Sequence, residues 1–341
     1  MGIIKEKIYC CPICGSGKFS PWHSGMDRLY RLSDDIFTYS KCMDCDLIFL
    51  TERPIESEIG KFYPQDYAPH MGSVSGKVNK KNINKKQKLI ARISRKLSVI
   101  AKFIFTNIAK DNFEKKYAEN YMMPENSDVF LDYGCGSDKF LNKCRKAGWK
   151  TTIGIDFSNN AIDQVKNSGH QGYLVGEGAW GNVDDNSVDF IRMNHVVEHL
   201  YDPLATLRQA QKKLKIGGVL HVALPNPRGF SATIFGERWF SLETPRHIMH
   251  YSPEVLRKVL GMVGGFTVIT ELHESSSKDA CRSLGYCMWD WGWITHESAT
   301  IGMLERPVIS RIFYVLLRVF ASRGRGDRYH IFTKKTEQVD Q

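Results

Sequence analysis

The stretch RMNHVVEHLYDP, residues 192–203, sets His195, Glu198 and His199 within five positions of one another. If it continues as a helix, His195 and His199 stand one turn apart on one face. There two imidazoles can share a metal while the carboxylate handles a proton. A second group is Cys11-x2-Cys14 and Cys42-x2-Cys45, two thiolate pairs separated by 27 residues. Such pairs close a tetrahedral zinc site, which replaces a hydrophobic core too small to hold alone. Cys10 is an adjacent spare, and a redox pair or a metal-free relic is the alternative. The third group is LDYGCGSDKF, residues 131–140, with Asp132 before Gly134 and Gly136. Glycines at a strand-to-helix turn let the backbone approach a ligand, and the helix start offers free N–H donors. Asp156 lies 24 residues after Asp132, where a carboxylate suits a ribose diol.

These groups need elements to hold them. From position 128 onward, apolar runs alternate with helical patterns: strands at 129–134, 151–157, 172–177, 188–194, 217–227, 266–274 and 328–335, with helices at 137–148 and 196–214. That alternation predicts an α/β fold with a Rossmann-like, doubly wound, seven-stranded sheet. Residues 275–326 form a helical insertion containing Trp289, Trp291, Trp293 and the apolar, Arg-flanked stretch Pro307–Phe320. The expected organisation is a small zinc ribbon at 1–53, a linker and basic amphipathic helix at 54–125, and the main domain at 126–341. Within the linker region, Phe62, Tyr63, Pro64 and Tyr67 mark aromatic turns, and Gly72–Asn84 is polar. Leu89, Ile93, Leu97, Ile100, Ile104 and Ile108 then recur at helical spacing.

The chain has 341 residues, enough for a large domain plus a small one, each with its own core. It contains no apolar run long enough to span a membrane. Its start lacks the apolar core of a secretory signal, and Glu6 breaks a myristoylation pattern. Nine cysteines, several in C-x2-C pairs, fit reduced thiols and a cytoplasmic home. The net charge of +10 is concentrated: Lys77–Lys116 holds 13 Lys and Arg against Asp111 and Glu114. Such an arm suits an anionic surface, membrane or nucleic acid, or is simply a solvated helix.

Two cofactors use a glycine turn of this kind, a dinucleotide or S-adenosylmethionine. An acid just before the loop meets a cationic ligand better than a pyrophosphate. The third dinucleotide glycine is missing, and Asp138 near the helix start would oppose a diphosphate. DYGCG, IGIDFS, VDFIRMNHVVEHLYDP, LKIGGVLHVALPNP and ETPRHIMHYSP together resemble the successive motifs of class I S-adenosylmethionine-dependent methyltransferases. CPICG, CMDCDLIFLTERP and YPQDY resemble the zinc-ribbon-like module of a bacterial subgroup associated with surface-polysaccharide assembly. The resemblance spans about residues 10–67 and 126–335 and implies roles. Asp132, Tyr133, Gly134 and Gly136 would wrap the methionine moiety, and Asp156 would hold the ribose. Phe157 would lie beside the adenine, Glu177 would contact its edge, and Asn194 would face the methionine end. Asp138 and Ile216 depart from the family pattern.

The spelling H-x-x-E-H is also that of inverted zinc peptidases. Those need a long helix and a further carboxylate ligand, which a strand ending at Asn194 opposes. The stretch is similar to E-x-x-E-H in quinone O-methyltransferases and small-RNA 2′-O-methyltransferases, whose Glu, Glu and His bind a divalent metal. A later histidine corresponds to His247, with His250 as its alternate. Three roles stay open for His195, Glu198, His199 and His247: a general base or substrate orienter, a metal site, or a structural one in which Glu198 and His199 cap or brace the helix. The nitrogen-rich set would favour zinc, iron or manganese over magnesium. Trp239, Arg246 and Tyr251 either line an acceptor pocket or belong to the core. The resemblance implies a cytoplasmic O-methyltransferase acting on a sugar hydroxyl of a polysaccharide precursor or lipid-linked glycan. The basic helix adds peripheral association with the inner membrane face. A nucleic-acid methyltransferase and a non-enzymatic zinc-ribbon interaction protein are the alternatives.

Overall fold

A computed structural model describes residues 3–64, 128–176, 178–297, 313, 317–321 and 323–337. The basic helix, nearly all of the linker, Glu177 and most of Pro307–Phe320 lie outside the described residues. At the N-terminus, β1 (Lys5–Lys7) pairs antiparallel with β5 (Glu52–Pro54). Between them β2 (Phe19–Gly25), β3 (Phe37–Cys42) and β4 (Ile48–Leu50) form an antiparallel meander. Each C-x2-C pair closes a tight turn: Gly15 N–H donates to Cys11 O, and Asp46 N–H donates to Cys42 O. Gly15 and Asp46 both take the left-handed backbone that such turns require. A short helix, α1 (Glu56–Ile59), leads out of the module.

The main sheet contains β6 (Val129–Tyr133), β7 (Thr151–Asp156), β8 (Gln171–Leu174), β9 (Val188–Asn194) and β10 (Leu214–Pro225), followed after a later short strand, β11 (Met249–His250), by β12 (Phe266–Glu274) and β13 (Arg328–Lys335). Its order is β12-β13-β10-β9-β6-β7-β8, with β13 antiparallel to both neighbours. This is the expected seven-stranded doubly wound sheet. Its strands are buried apolar runs, and Leu131, Ile155, Ile191, Leu220, Val222 and Ile331 are fully enclosed. Strand order reverses at β6, between β7 and β9, so the crevice beyond the strand ends opens there.

Helices α2 (Lys139–Lys146), α3 (Asn159–Asn167), α4 (Pro203–Lys213), α5 (Phe230–Phe235), α6 (Pro253–Val263) and α7 (Ser277–Asp290) complete the layers. Ser158, Asp202 and Ser252 cap α3, α4 and α6 by accepting N–H bonds from the first turn. One expectation is corrected here. Residues 196–214 are not one helix: Val197–His199 is a single 3-10 turn, and the helix begins at Pro203. His195 has φ +56°, so the chain turns sharply as it leaves β9. His195 and His199 therefore do not stand one helical turn apart.

The two sheets share the chain in an unexpected way. β11 adds to β4, giving the ribbon sheet the order β11-β4-β3-β2. The segment that carries His247 thus runs directly into an edge strand of the N-terminal module.

Candidate active site

Gly134 and Gly136 sit at the tip of β6 with φ +74° and +62°. A Cβ on Gly134 would lie 2.4 Å from Val196 Cγ2, so the loop passes hard against the turn after β9. Asp156, at the end of β7, is buried, and its carboxylate accepts N–H bonds from Gly136 at 2.8 Å and Ser158 at 2.9 Å. It therefore fixes the shape of the loop from the neighbouring strand. Asp132 is fully enclosed and bonds Arg192 at 2.9 and 3.0 Å. Burial outweighs the nearby guanidinium and raises its pKa to about 6. Its carboxylate braces β6 against β9 beneath the loop. Tyr133 stacks on Trp180 at 5.0 Å, whereas Phe157 is half exposed at the rim. Asn194 ends β9 opposite Ala223. The departure at Asp138 is structural: it accepts bonds from Asn142 and Ser168, tying α2 to the end of α3. Ile216 is on the surface.

Across the crevice, Glu198, His199 and His247 come together, with ligand-type atoms all within 4.8 Å of one another. His247 Nδ1 lies 2.8 Å from Ser241 O, and His199 Nδ1 lies 2.9 Å from Arg246 O. A carbonyl only accepts, so each Nδ1 carries the proton and each Nε2 keeps its lone pair. Anchoring one ring nitrogen on a carbonyl is how metal-binding histidines are oriented. Glu198 Oε1 is 3.2 Å from His195 Nδ1 and 4.0 Å from His247 Nε2. Its Oε2 is buried without a hydrogen-bond partner. Burial raises the Glu198 pKa. Burial, then the neighbouring His247, lowers His199 to about 4; burial, then Arg328, lowers His195 to about 4. All three groups thus favour a site holding neutral imidazoles beside an incompletely satisfied carboxyl.

The ribbon cysteines also converge. Cys11 Sγ is 3.5 Å from Cys45 Sγ, and Cys14 Sγ is 3.6 Å from Cys42 Sγ. A tetrahedral ion with Zn–S bonds of about 2.3 Å requires sulfur separations of about 3.8 Å, so the four thiols fit zinc. Its bonding to Cys45, stronger than the opposing burial, lowers the Cys11 pKa to about 5. The ribbon holds the loop between Leu242 and His250 directly. Tyr39 OH donates to His247 O at 2.8 Å, and Arg246 pairs with Asp27 at 2.8 Å with both side chains fully buried. Ile248 N–H donates to Glu198 O at 3.0 Å, closing the link to the cluster.

A family model described as a methyltransferase domain matches residues 90–271, more than half of the chain. The chain belongs to that family. It is similar to a ubiquinone biosynthesis O-methyltransferase of Xanthomonas oryzae pv. oryzae, 26% identical over 129 residues, covering 36% of this chain and 54% of the relative. It is also similar to a ribosomal protein L11 methyltransferase of Shewanella pealeana, 28% identical over 124 residues, covering 36% and 42%. The chain spans about half the length of the curated relatives it matches. Among solved structures, a SAM dependent methyltransferase from Archaeoglobus fulgidus is 20% identical, covering 68% of this chain and 99% of that one with a TM-score of 0.41. A SAM-dependent methyltransferase from Methanosarcina mazei is 14% identical, covering 65% and 98% with a TM-score of 0.43.

Within this methyltransferase domain, the structure gathers Gly134, Gly136 and Asp156 at the switch point, and the Glu198, His199 and His247 group connects to them through Val196 against Gly134 and Tyr63 between Phe157 and His199. His195 joins through Glu198, from a partly exposed position. His250 does not join: Trp22, Tyr39 and Trp239 enclose it on the ribbon sheet. Tyr251 and Arg246 are buried struts, whereas Trp239, also buried, borders a small cleft with Arg28, Glu237, Phe240, Glu243 and Tyr286. Sequence reasoning passed over Glu243. Its Oε2 lies 3.6 Å from His247 Nε2, and its left-handed φ of +41° turns it toward the cluster. It opens the ETPRHIMHYSP motif, so the signal was present. Burial alone would raise its pKa, but His247, Arg246 and His199 together hold it below the usual range.

Proposed function

We propose that the protein is an S-adenosylmethionine-dependent O-methyltransferase whose acceptor is a sugar hydroxyl on a polysaccharide precursor or lipid-linked glycan. The observation that carries the reading is one crevice with a glycine–carboxylate donor cradle on β6 and β7 and a His/Glu cluster facing it. The donor's sulfonium carbon is attacked by an acceptor oxygen; the C–S bond breaks as the C–O bond forms, releasing a neutral thioether. The hydroxyl proton must leave, and the cluster supplies places for it. In-line positioning supplies much of the rate.

The donor set fits a divalent metal through His199 Nε2, His247 Nε2 and the Glu198 carboxylate, whose buried Oε2 has no other partner. Such an ion, when bound, would lower the pKa of the acceptor hydroxyl. Nitrogen ligands favour zinc, iron or manganese. His195 would then orient Glu198, Ser241 O would hold the His247 imidazole through Nδ1, and Glu243 would bring a second carboxylate to 3.6 Å from its Nε2. A base-only site is less well supported, because burial lowers the pKa of His195 and of His199 to about 4, which weakens both as bases at neutral pH.

The glycan acceptor rests on the resemblance of the ribbon and the motif order to polysaccharide-associated enzymes. A nucleic-acid acceptor is the second reading, favoured by a ribbon followed in sequence by the basic segment at 77–116. Among the described residues no helix is long and apolar enough to cross a membrane, and peripheral attachment at the inner face is part of the proposal. Calorimetry with S-adenosylhomocysteine tests the donor site, and absence of heat removes the methyltransferase reading. Transfer of radiolabelled methyl groups to lipid-linked glycan, with RNA and quinone as competitors, tests the acceptor. Label entering RNA alone overturns the glycan assignment.

A further inference from the structure

Tyr63 lies where the donor and acceptor halves of the crevice meet, yet it comes from the segment leaving the ribbon. Both polar groups of the peptide bond that precedes it are held. Tyr63 N–H donates to Gly60 O at 3.1 Å, and the carbonyl of the preceding, fully buried Phe62 accepts from Arg246 Nη1 at 3.1 Å. Phe62 itself packs edge-on against Phe37 of the ribbon at 6.2 Å. The Tyr63 side chain reaches two places. Its ring meets Phe157 edge-on at 5.0 Å, and its hydroxyl lies 3.0 Å from His199 Nδ1.

That nitrogen carries the proton it gives to Arg246 O, so the phenol oxygen shares the same N–H from the other side. Two oxygens on one Nδ1–H fix the rotation of the imidazole, whose ring lies 4.6 Å from that of His247. Phe157, half exposed directly after Asp156, is the rim residue that an adenine ring would lie against. Burial raises the Tyr63 pKa well above its usual range, which keeps the phenol neutral and suits an orienting role.

We propose that Tyr63 is a positioning residue tying the donor platform at Phe157 to the His199 imidazole, so that donor binding sets the orientation of the acceptor-side cluster. This rests on the donor-site reading given above. The pair Tyr63→Phe and Tyr63→Ala separates ring from hydroxyl in the full-length, zinc-loaded protein. Calorimetry with S-adenosylhomocysteine should show about tenfold weaker binding for Tyr63→Ala and less than about twofold change for Tyr63→Phe. In nitrogen-15 spectra of labelled histidines, with His199 assigned by its loss in His199→Gln, the ligand should shift the His199 signals of the wild type. That response should vanish in Tyr63→Ala, and Tyr63→Phe should displace the ligand-free signal. His170, held by Thr152 and Asn142 beyond the crevice, should stay constant in all three proteins. Equal affinities in the three proteins, an unmoved His199 signal in Tyr63→Phe, or an equal ligand response in Tyr63→Ala would each overturn the assignment. If the wild type itself gives no binding heat, the donor-site reading fails first and Tyr63 falls with it, an outcome distinct from a loss confined to the variants.

Discussion

Arg246→Met should be among the most damaging substitutions outside the crevice itself. Arg246 is fully buried and gives Nη2 to Asp27 at 2.8 Å, Nη1 to Phe62 O at 3.1 Å and Nε to Glu243 at 3.2 Å. Met fills much of the volume but leaves Asp27 enclosed with no cation, retaining only the N–H bonds from Tyr30 and Leu32. Breaking a buried pair on one side costs about 3–5 kcal/mol. The Phe62 carbonyl also loses its donor, about 1–3 kcal/mol, while burial of the apolar methionine offsets part of that. A net loss of about 4 kcal/mol follows. At a urea m-value of about 3 kcal/mol/M, the midpoint should fall by about 1.3 M. Asp27→Asn removes the stranded charge while keeping an acceptor, so the double variant should recover about half of the loss. Urea titrations by circular dichroism, with zinc held saturating and the m-value monitored, provide the measurement. A single-variant shift below about 0.3 M would put the pair in the range of exposed surface ion pairs and refute this account of how the ribbon is fastened to the loop that carries His247.

Gly134→Ala combines a left-handed φ with a 2.4 Å clash on Val196, so it should lose about 2–4 kcal/mol of stability. Binding of S-adenosylhomocysteine should weaken by more than about tenfold, and unchanged affinity would show that the loop does not cradle the donor. Stripping zinc, or Cys42→Ser, should release the sheet shared by β3, β4 and β11 and lower Tm by about 10 °C or more. The near-ultraviolet signal of Trp22 and Trp239 should change with it, and a chelated protein that keeps both would contradict the coupling. His221 and His330, bonded at 3.0 Å, both have pKa values lowered by burial below the unfolded value of about 6.5. The folded state then binds fewer protons than the unfolded one, so their contribution is whole above about pH 6.5 and is lost as pH falls. Asp132 and Asp327, raised to about 6 by burial, act in the opposite sense. The diagnostic is therefore a difference: His221→Phe should flatten the fall in Tm between pH 7 and pH 5, and a parallel fall would refute the assignment.

The glycine turn after β6 and the acidic tip of β7 were legible in sequence because their determinants are local. DYGCG and IGID each join an apolar strand to a glycine or acidic tip, and the strand order then brings Gly136 to Asp156. The HVVEH stretch resembles the start of a long helix in sequence because Val197, Leu207 and Ala210 keep an apolar spacing compatible with one. The correct boundary was available in Asp202-Pro203, an N-cap followed by proline at the first helical position. The left-handed backbone at His195 leaves no such mark, since histidine is not a residue that demands it. Long-range closure hid the rest. Tyr63 reaches His199 across 136 positions and Asp27 reaches Arg246 across 219, while β11 is two residues long and shows no periodicity. These distant contacts give the ribbon a physical task in the main domain. A two-residue strand cannot hold its own register, and the loop from Leu242 to His250 has few bonds to the main sheet. By contrast Tyr39, Asp27 and β4 bind that loop at His247, Arg246 and Met249. The placement of His247 and Glu243 is therefore set in part by the four-cysteine module, and the Glu198, His199 and His247 cluster should loosen when the ribbon is unfolded.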